Sequence, residues 1–366
     1  FWGVVTDAQS NIYGISTVNG GSGISVYNSS GTLTATTFGV NTAQDVCLVK
    51  YNPAGTVLWR SRMTSTVTES FTGPSKPIAL DAGGNVFCTG TYANGTLTML
   101  NSADVATGNT LLTIGTTNSF FVKYSPDGSP LWVARAGCAA SGSCSGAAAT
   151  VDSTGAAYFT GYYTYTSSAL TFYNENATAW GTTYTGNTGT PDIFTVKYSN
   201  GGTVQWSARA ASTVNDTAYA LAYDKLSNVV AGGYSAGRMN VYSASGTEFG
   251  VGAIDNSNAA TGGYVIKFDT SGTVGSVWRA TPNTSTSTMT VNAVACDRYS
   301  GNIYVTGSYL GYSVFHGASG ITVDQRLLPL SRFQNYFVAK YTEYGNCAWV
   351  AEGFNGYSSG QGVEID

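Results

Sequence analysis

Apolar residues fall along this 366-residue chain in short runs bounded by Gly, Asn, Asp and Ser, as in Asn302-Ile303-Tyr304-Val305-Thr306-Gly307. Runs of this length and composition predict β-strands joined by tight turns. Two phrases recur. The first is an apolar run carrying a Lys-aromatic pair and followed by Trp; its copies hold Lys50 and Trp59, Lys123 and Trp132, Lys197 and Trp206, Lys267 and Trp278, and Lys340 and Trp349. These tryptophans stand 71 to 74 residues apart. The second is an apolar run ending in Asp, at Asp7, Asp81, Asp152, Asp224 and Asp297, with a further copy at Val363 to Asp366. Each module therefore reads as strand A ending in Asp, a turn, strand B, a long excursion, strand C with the lysine, a Gly-containing turn, and strand D with Trp.

One such sheet cannot bury both its faces alone, and a ring of them is the usual solution. The predicted fold is all-β: a single β-propeller over residues 1–366, with five four-stranded blades at 4–76, 77–146, 147–217, 218–290 and 291–360. Hairpins are inserted between strands B and C, and residues 361–366 are expected to be an orphan strand opening a sixth repeat, so the ring is either closed at five or part of a larger one. The insertions (24–35, 97–114, 170–184, 239–251 and 314–328) make the modules roughly 20 residues longer than a compact blade.

The phrase Asp297, Gly301-Asn302-Ile303-Tyr304-Val305-Thr306-Gly307, Phe337 to Tyr341, Gly345 and Trp349 resembles the bacterial-type β-propeller repeat (SBBP) family. The resemblance covers all five modules and implies the propeller fold with a surface or secreted scaffolding role, not an activity. Departures are Gly14-Ile15-Ser16 in module one, Ala156 in module three, and Gly232-Gly233 with two extra residues before Trp278 in module four.

Composition narrows the function classes. Only 10% of residues are charged and the net charge is −4, which leaves no basic surface for nucleic acid. No apolar stretch is long enough to span a bilayer as a helix. The chain begins at Phe1, which reads as a matured product or a segment of a longer chain. Cys138 and Cys144 bracket a short Ala/Ser/Gly loop and are expected to form a disulfide, whereas Cys47, Cys88, Cys296 and Cys347 read as buried thiols. No cysteine or histidine spacing suggests a metal, and no cofactor is expected.

The residues that look chemical mostly have architectural readings. An Asp that opens a turn accepts backbone N–H groups a few residues on, and a lysine repeated in every module lays its stem on a neighbouring aromatic while its ammonium reaches a carboxylate or carbonyl. His316 is the only histidine and has no catalytic companions, and the six glutamates fall at unrelated repeat positions. Aromatics off the repeat grid, Tyr27, Tyr173, Trp180, Tyr184, Tyr242, Phe249 and Phe315, are the candidate binding residues, for a protein interface or for glycans. Sequons at Asn28, Asn94, Asn176, Asn215 and Asn283 permit glycosylation.

The chain is expected to be a non-enzymatic structural or adhesive propeller at a cell or particle surface, assembling with itself or with other surface proteins. Val363 to Asp366 would add to the sheet edge of a neighbour and build a filament. The alternatives are a lectin with one shallow site per blade and, second, a polysaccharide-acting enzyme with two opposed carboxylates at the channel mouth.

Overall fold

The computed structural model describes residues 2–365 except 20–24, 35–43, 72, 74–75, 94, 140, 187–188, 251–253, 257–259, 283, 319–326, 329–332 and 354–356. Every regular element among them is a β-strand, 29 in all, and adjacent strands of each module run antiparallel. The chain divides into two compact units. One holds residues 1–159, 166–185 and 198–205, the other 160–165, 186–197 and 206–366. Module three, with strands Ser143–Val151, Ala157–Thr164, Pro191–Tyr198 and Val204–Ala211 in that order, contributes to both.

In the first unit, module one consists of Gly3–Thr6, Ile12–Val18, Asp45–Tyr51 and Val57–Thr64, hydrogen-bonded in that order. Module two repeats the arrangement with Ile78–Leu80, Val86–Ala93, Thr117–Tyr124 and Pro130–Cys138, and its first strand is preceded by the short pairing of Glu69–Ser70 with strand B. Ile15, Leu48, Met63, Ile78, Phe120 and Val122 build its core. In the second unit, module four is Asp216–Tyr223, Val229–Ser235, Gly262–Phe268 and Val274–Pro282, and module five is Thr288–Cys296, Ile303–Leu310, Asn335–Tyr341 and Cys347–Gly353. Val230, Val265, Met289, Val291, Val305 and Phe337 form that core.

The described parts of the B-to-C insertions of modules two to five pair with the sheet of the preceding module. The hairpin of module two, Thr96–Leu100 and Ala106–Leu112, joins the outer edge of module one, with Met99 opposite Met63. Leu170–Tyr173 of module three joins strand D of module two, with Phe172 opposite Ala136. Arg238–Tyr242 of module four joins strand D of module three, and Ser313–Phe315 of module five joins strand D of module four. Each of these four hairpins thus covers an edge that would otherwise expose unpaired N–H and C=O groups.

Strand C passes into strand D through a four-residue turn. In module two the Gly128 N–H reaches the Ser125 carbonyl and Ser125 N–H the Ser129 carbonyl, and Gly128 takes φ 82°. A β-carbon at Gly128 would also lie 2.9 Å from the Trp59 ring, so both the left-handed backbone and the packing require glycine there.

Two expectations are corrected. Residues 361–365 form no strand, and Asp366 lies outside the described residues. The preceding residues instead lie along module five: Gly360 N–H donates to Gly307 O, and Asn292 Nδ2 to Ser359 Oγ and Gly360 O. All six cysteines are free thiols, Cys138 and Cys144 included. The Cys144 thiol is held by the Ser119 hydroxyl at 3.0 Å. Burial pushes the Cys138 thiol up to about 12, so both stay protonated and inert at neutral pH.

Candidate functional site: the joints between modules and the exposed aromatics

The recurrent Asp, Lys and Trp form a repeated joint. Asp7 Oδ1 accepts the N–H groups of Gln9 and Asn11, Asp81 those of Gly83 and Asn85, Asp152 those of Thr154 and Ala156, and Asp224 those of Leu226 and Asn228. Asp297 does the same for Tyr299 and Ser300. The acceptor role follows from an Asp heading a turn that otherwise orphans two donors. Lysines then bind the same carboxylates, with Lys267 Nζ 2.6 Å from Asp224 and Lys50 Nζ 3.9 Å from Asp7. Burial opposes ionisation of Asp224, but Lys267, Asn228 and the Leu226 N–H outweigh it and hold the carboxyl below its usual range.

Four of the five lysines also reach forward to the C-to-D turn of the next module. Lys50 donates to Pro126 O, Lys123 to Asn200 O, Lys197 to Thr270 O and Lys267 to Glu343 O. Three indoles converge on the same carbonyls: Trp59 on Pro126 O at 2.7 Å, and Trp132 on Asn200 O and Trp206 on Thr270 O at 3.0 Å. Trp278 is the exception, with a buried Nε1 and no acceptor. The two extra residues of module four explain it: Lys267 stands opposite Ser276, where Lys50, Lys123 and Lys340 stand opposite their Trp.

A second set of buried groups was not distinguished in the sequence. Glu69 and Asp216 are fully buried, neither carboxyl has a partner of good hydrogen-bond geometry, and the neighbouring Ser65, Ser212 and Ser235 only partly offset the burial. The serines beside them spend their protons elsewhere, Ser65 on Val67 O, Ser212 on Val214 O and Ser235 on Gly237 O. Burial, with a further contribution from nearby Asp45, pushes Glu69 up to about 8, and burial with nearby Asp192 pushes Asp216 up to about 7. They face one repeat position of strand B, Tyr92 in module two and Ser235 in module four. Among the described residues no group of three or more His, Cys, Asp or Glu could hold a metal. His316 is buried, its imidazole pushed down to about 4 by burial and the Arg279 charge.

The aromatics singled out in the sequence do not form one surface. Phe315 and Tyr184 are buried, packed on Phe337 and Phe172. Tyr173 and Tyr242 lie under the guanidinium groups of Arg135 and Arg209 at 4.4 and 4.6 Å. Trp180 and Phe249 are half-buried, and only Tyr27 is largely exposed. The physical reason is the pairing of hairpins with neighbouring sheets, which turns their apolar positions inward. Of the sequons, Asn176 and Asn215 are exposed, Asn28 gives its side-chain oxygen to Val57 N–H, and Asn94 and Asn283 lie outside the described residues.

The exposed aromatics are elsewhere, concentrated in module five. Tyr299 is 89% exposed, Tyr357 81% and Tyr344 75%, and Phe333 and Tyr336 are also exposed. Tyr299 follows its Asp where the other modules carry Gln9, Gly83, Thr154 and Leu226, and Tyr344 takes the turn position of Ala54, Asp127, Gly201 and Ser271. A tyrosine replacing smaller or less aromatic residues at a fixed repeat position was the legible signal. Tyr299 and Tyr344 share one end of the module, since the A-to-B and C-to-D turns of an antiparallel sheet lie together.

No helix of the described residues is long and apolar enough to cross a membrane. No protein-family model matches the chain. Part of it is similar to the uncharacterized WD repeat-containing protein L264 of Acanthamoeba polyphaga mimivirus, 29% identical over 221 residues, which takes in 56% of this chain and 15% of that protein. The chain thus matches only a small part of that relative's length, and a likeness to a WD repeat protein, together with repeated antiparallel four-stranded modules, points to a β-propeller.

Proposed function

We propose that the chain is a five-bladed β-propeller of the SBBP type that works without catalysis, as a structural or adhesive protein-binding module at the outside of a cell or particle. The observation that carries this reading is the pair Tyr299 and Tyr344, two exposed rings at one end of module five on positions that carry no aromatic in the other modules. Large, rigid side chains with a polar tip supply contact area at low entropic cost, which suits a protein interface. The repeated Asp, Lys and Trp are consumed in the joints, so they support the scaffold and contribute nothing to catalysis. The scarcity of charge and the abundance of Gly, Ser, Thr, Asn and Tyr support the placement outside the cell.

The test is a photo-crosslinking residue placed at 344 in the native source, with a second at 226, the exposed position of module four that corresponds to Tyr299. A defined protein adduct at 344, lost on Tyr299→Ala and absent at 226, is the expected result. Equal adducts at both positions, or none at 344, would rule the reading out.

A further inference from the structure

One side chain ties three turns together at one end of modules four and five, within the second compact unit. Lys225, in the A-to-B turn of module four, donates to Ser300 O of the A-to-B turn of module five at 3.3 Å and pairs with Glu343 of its C-to-D turn at 2.9 Å. Each of these turns presents an exposed apolar side chain next to a residue of that tie: Leu226 follows Lys225, Tyr299 precedes Ser300 and Tyr344 follows Glu343. Their exposure is a property of the repeat position. Gln9, Gly83, Thr154 and Leu226 are exposed at the position of Tyr299, and Ala54, Asp127, Gly201 and Ser271 at that of Tyr344, although each of those modules is followed by another.

These turns also differ from the others in charge. The residue after the recurrent Asp is Ala8, Ala82 or Ser153 in modules one to three, but Lys225 and Arg298 in modules four and five. Lys225 is spent on Glu343. Arg298 is exposed, its guanidinium lies 4.5 Å from the centre of the Tyr223 ring, and no carboxylate or carbonyl among the described residues receives it. Stacking engages the face of a guanidinium and leaves the N–H groups at its edge for an acceptor. Arg135 and Arg209 stack on Tyr173 and Tyr242 in the same way, but both are half-buried on strands to which hairpins are docked. The carboxylates of these turns are already engaged: Asp224 by Lys267, Glu343 by Lys225, and Asp297 by the Tyr299 and Ser300 N–H groups and the Ser300 hydroxyl. The surface therefore offers a positioned cation among apolar side chains and lacks the anion that complements it.

We propose that this surface takes an acidic protein segment: one Asp or Glu carboxylate is received by the Arg298 guanidinium, and apolar or aromatic residues on either side of it pack on Tyr299, Tyr344 and Leu226. A planar guanidinium matches the two oxygens of a carboxylate with two parallel N–H bonds. The apolar side chains decide the size of the occupant. A free anion would leave all three in water, whereas a peptide covers them with side chains of its own. The Lys225 tie holds the three turns before anything binds, so little ordering is paid for on association.

This inference rests on the reading of Tyr299 and Tyr344 as a protein-binding surface, and it names the partner of that surface. The measurement is selection of a displayed library of random peptides on the purified chain, followed by fluorescence polarisation with a selected peptide. The expected sequences carry Asp or Glu beside Tyr, Phe, Trp or Leu, and their binding weakens as salt is raised. Arg298 is exposed and lies between strands, so Arg298→Gln keeps the fold; it is expected to weaken a selected peptide about tenfold or more, the scale of a lost charge-assisted hydrogen bond. Selection on Arg298→Glu should return sequences carrying Lys or Arg instead, a gain that a misfolded variant cannot give. Selected sequences without an acidic residue, no enrichment at all, or acidic sequences bound equally by Arg298→Gln would overturn the proposal, as would a heparin hexasaccharide bound through Arg298 where no peptide is. Any of these alongside a defined protein adduct at 344 leaves the protein-binding reading standing, whereas absence of that adduct overturns both.

Discussion

The joint between modules three and four and the joint between modules four and five follow one plan with different chemistry. At the first, Lys197 and Trp206 both donate to Thr270 O. Asp192 and Asp216 are fully buried nearby, at the heads of strand C and strand A. At the second, Lys267 alone reaches the Glu343 carbonyl, Trp278 keeps an unpaired N–H, and the two acidic positions are taken by Gly262 and Met289. Asn256 fills the place over Gly262 and donates to its carbonyl. A joint of this kind therefore tolerates loss of a hydrogen bond or replacement of a carboxyl pair, provided the lysine and the sheet pairing persist.

The largest expected effect comes from the shared lysine. Lys267→Ala strands the buried Asp224 carboxylate, whose side chain is only 2% exposed. Urea unfolding should show a loss of about 3 kcal/mol, the scale for breaking one side of a buried pair. A cost below about 1 kcal/mol would mean that the turn N–H groups alone satisfy Asp224.

The acid pair should make only the first joint sensitive to pH. Asp216 has its folded pKa raised to about 7, so the folded state holds a proton that the unfolded chain releases in the usual carboxylate range. Stability from this group is full below that range and falls as pH rises toward about 7, with a slope approaching about 1.4 kcal/mol per pH unit. Above about 7 both states are ionised and the slope vanishes. Glu69, raised to about 8, adds the same trend over a wider window in module two. Asp216→Asn should flatten the profile up to about neutrality and leave the Glu69 contribution, and an unchanged profile would show that Asp216 is ionised in the folded protein.

The smallest effect sharpens the comparison most. Trp206→Phe keeps a ring and removes a satisfied donor, and is expected to cost about 1 kcal/mol. Trp278→Phe removes a buried donor that has no partner, so its loss should be smaller and can be a gain. Equal losses in thermal or urea denaturation would show that ring size, not the N–H, sets both values.

Much of the fold was legible because strand and turn chemistry is local. Asp7 to Asp297, the five lysines and the Gly turns each announce themselves within a few residues, and their recurrence sets the length of the module. The exposed pair Tyr299 and Tyr344 was legible too, as a break in the repeat, but the choice of aromatics fell on the insertions instead. Those insertions read as free hairpins because nothing near Phe172 or Phe315 in sequence names the strand that pairs with them; Ala136 and Ala280 are more than 30 residues away.

The sequence by itself determined the module: the order of its strands, the Asp that closes its A-to-B turn and the lysine and tryptophan that mark strands C and D. Only the tertiary structure decided what those residues hold. The forward reach of Lys and Trp to the next turn, the pairing of the hairpins of modules two to five with the preceding sheet and the burial of Glu69 and Asp216 all depend on groups distant along the chain. Hydrogen bonds and desolvation act over a few ångströms of space, and sequence separation carries no record of that distance.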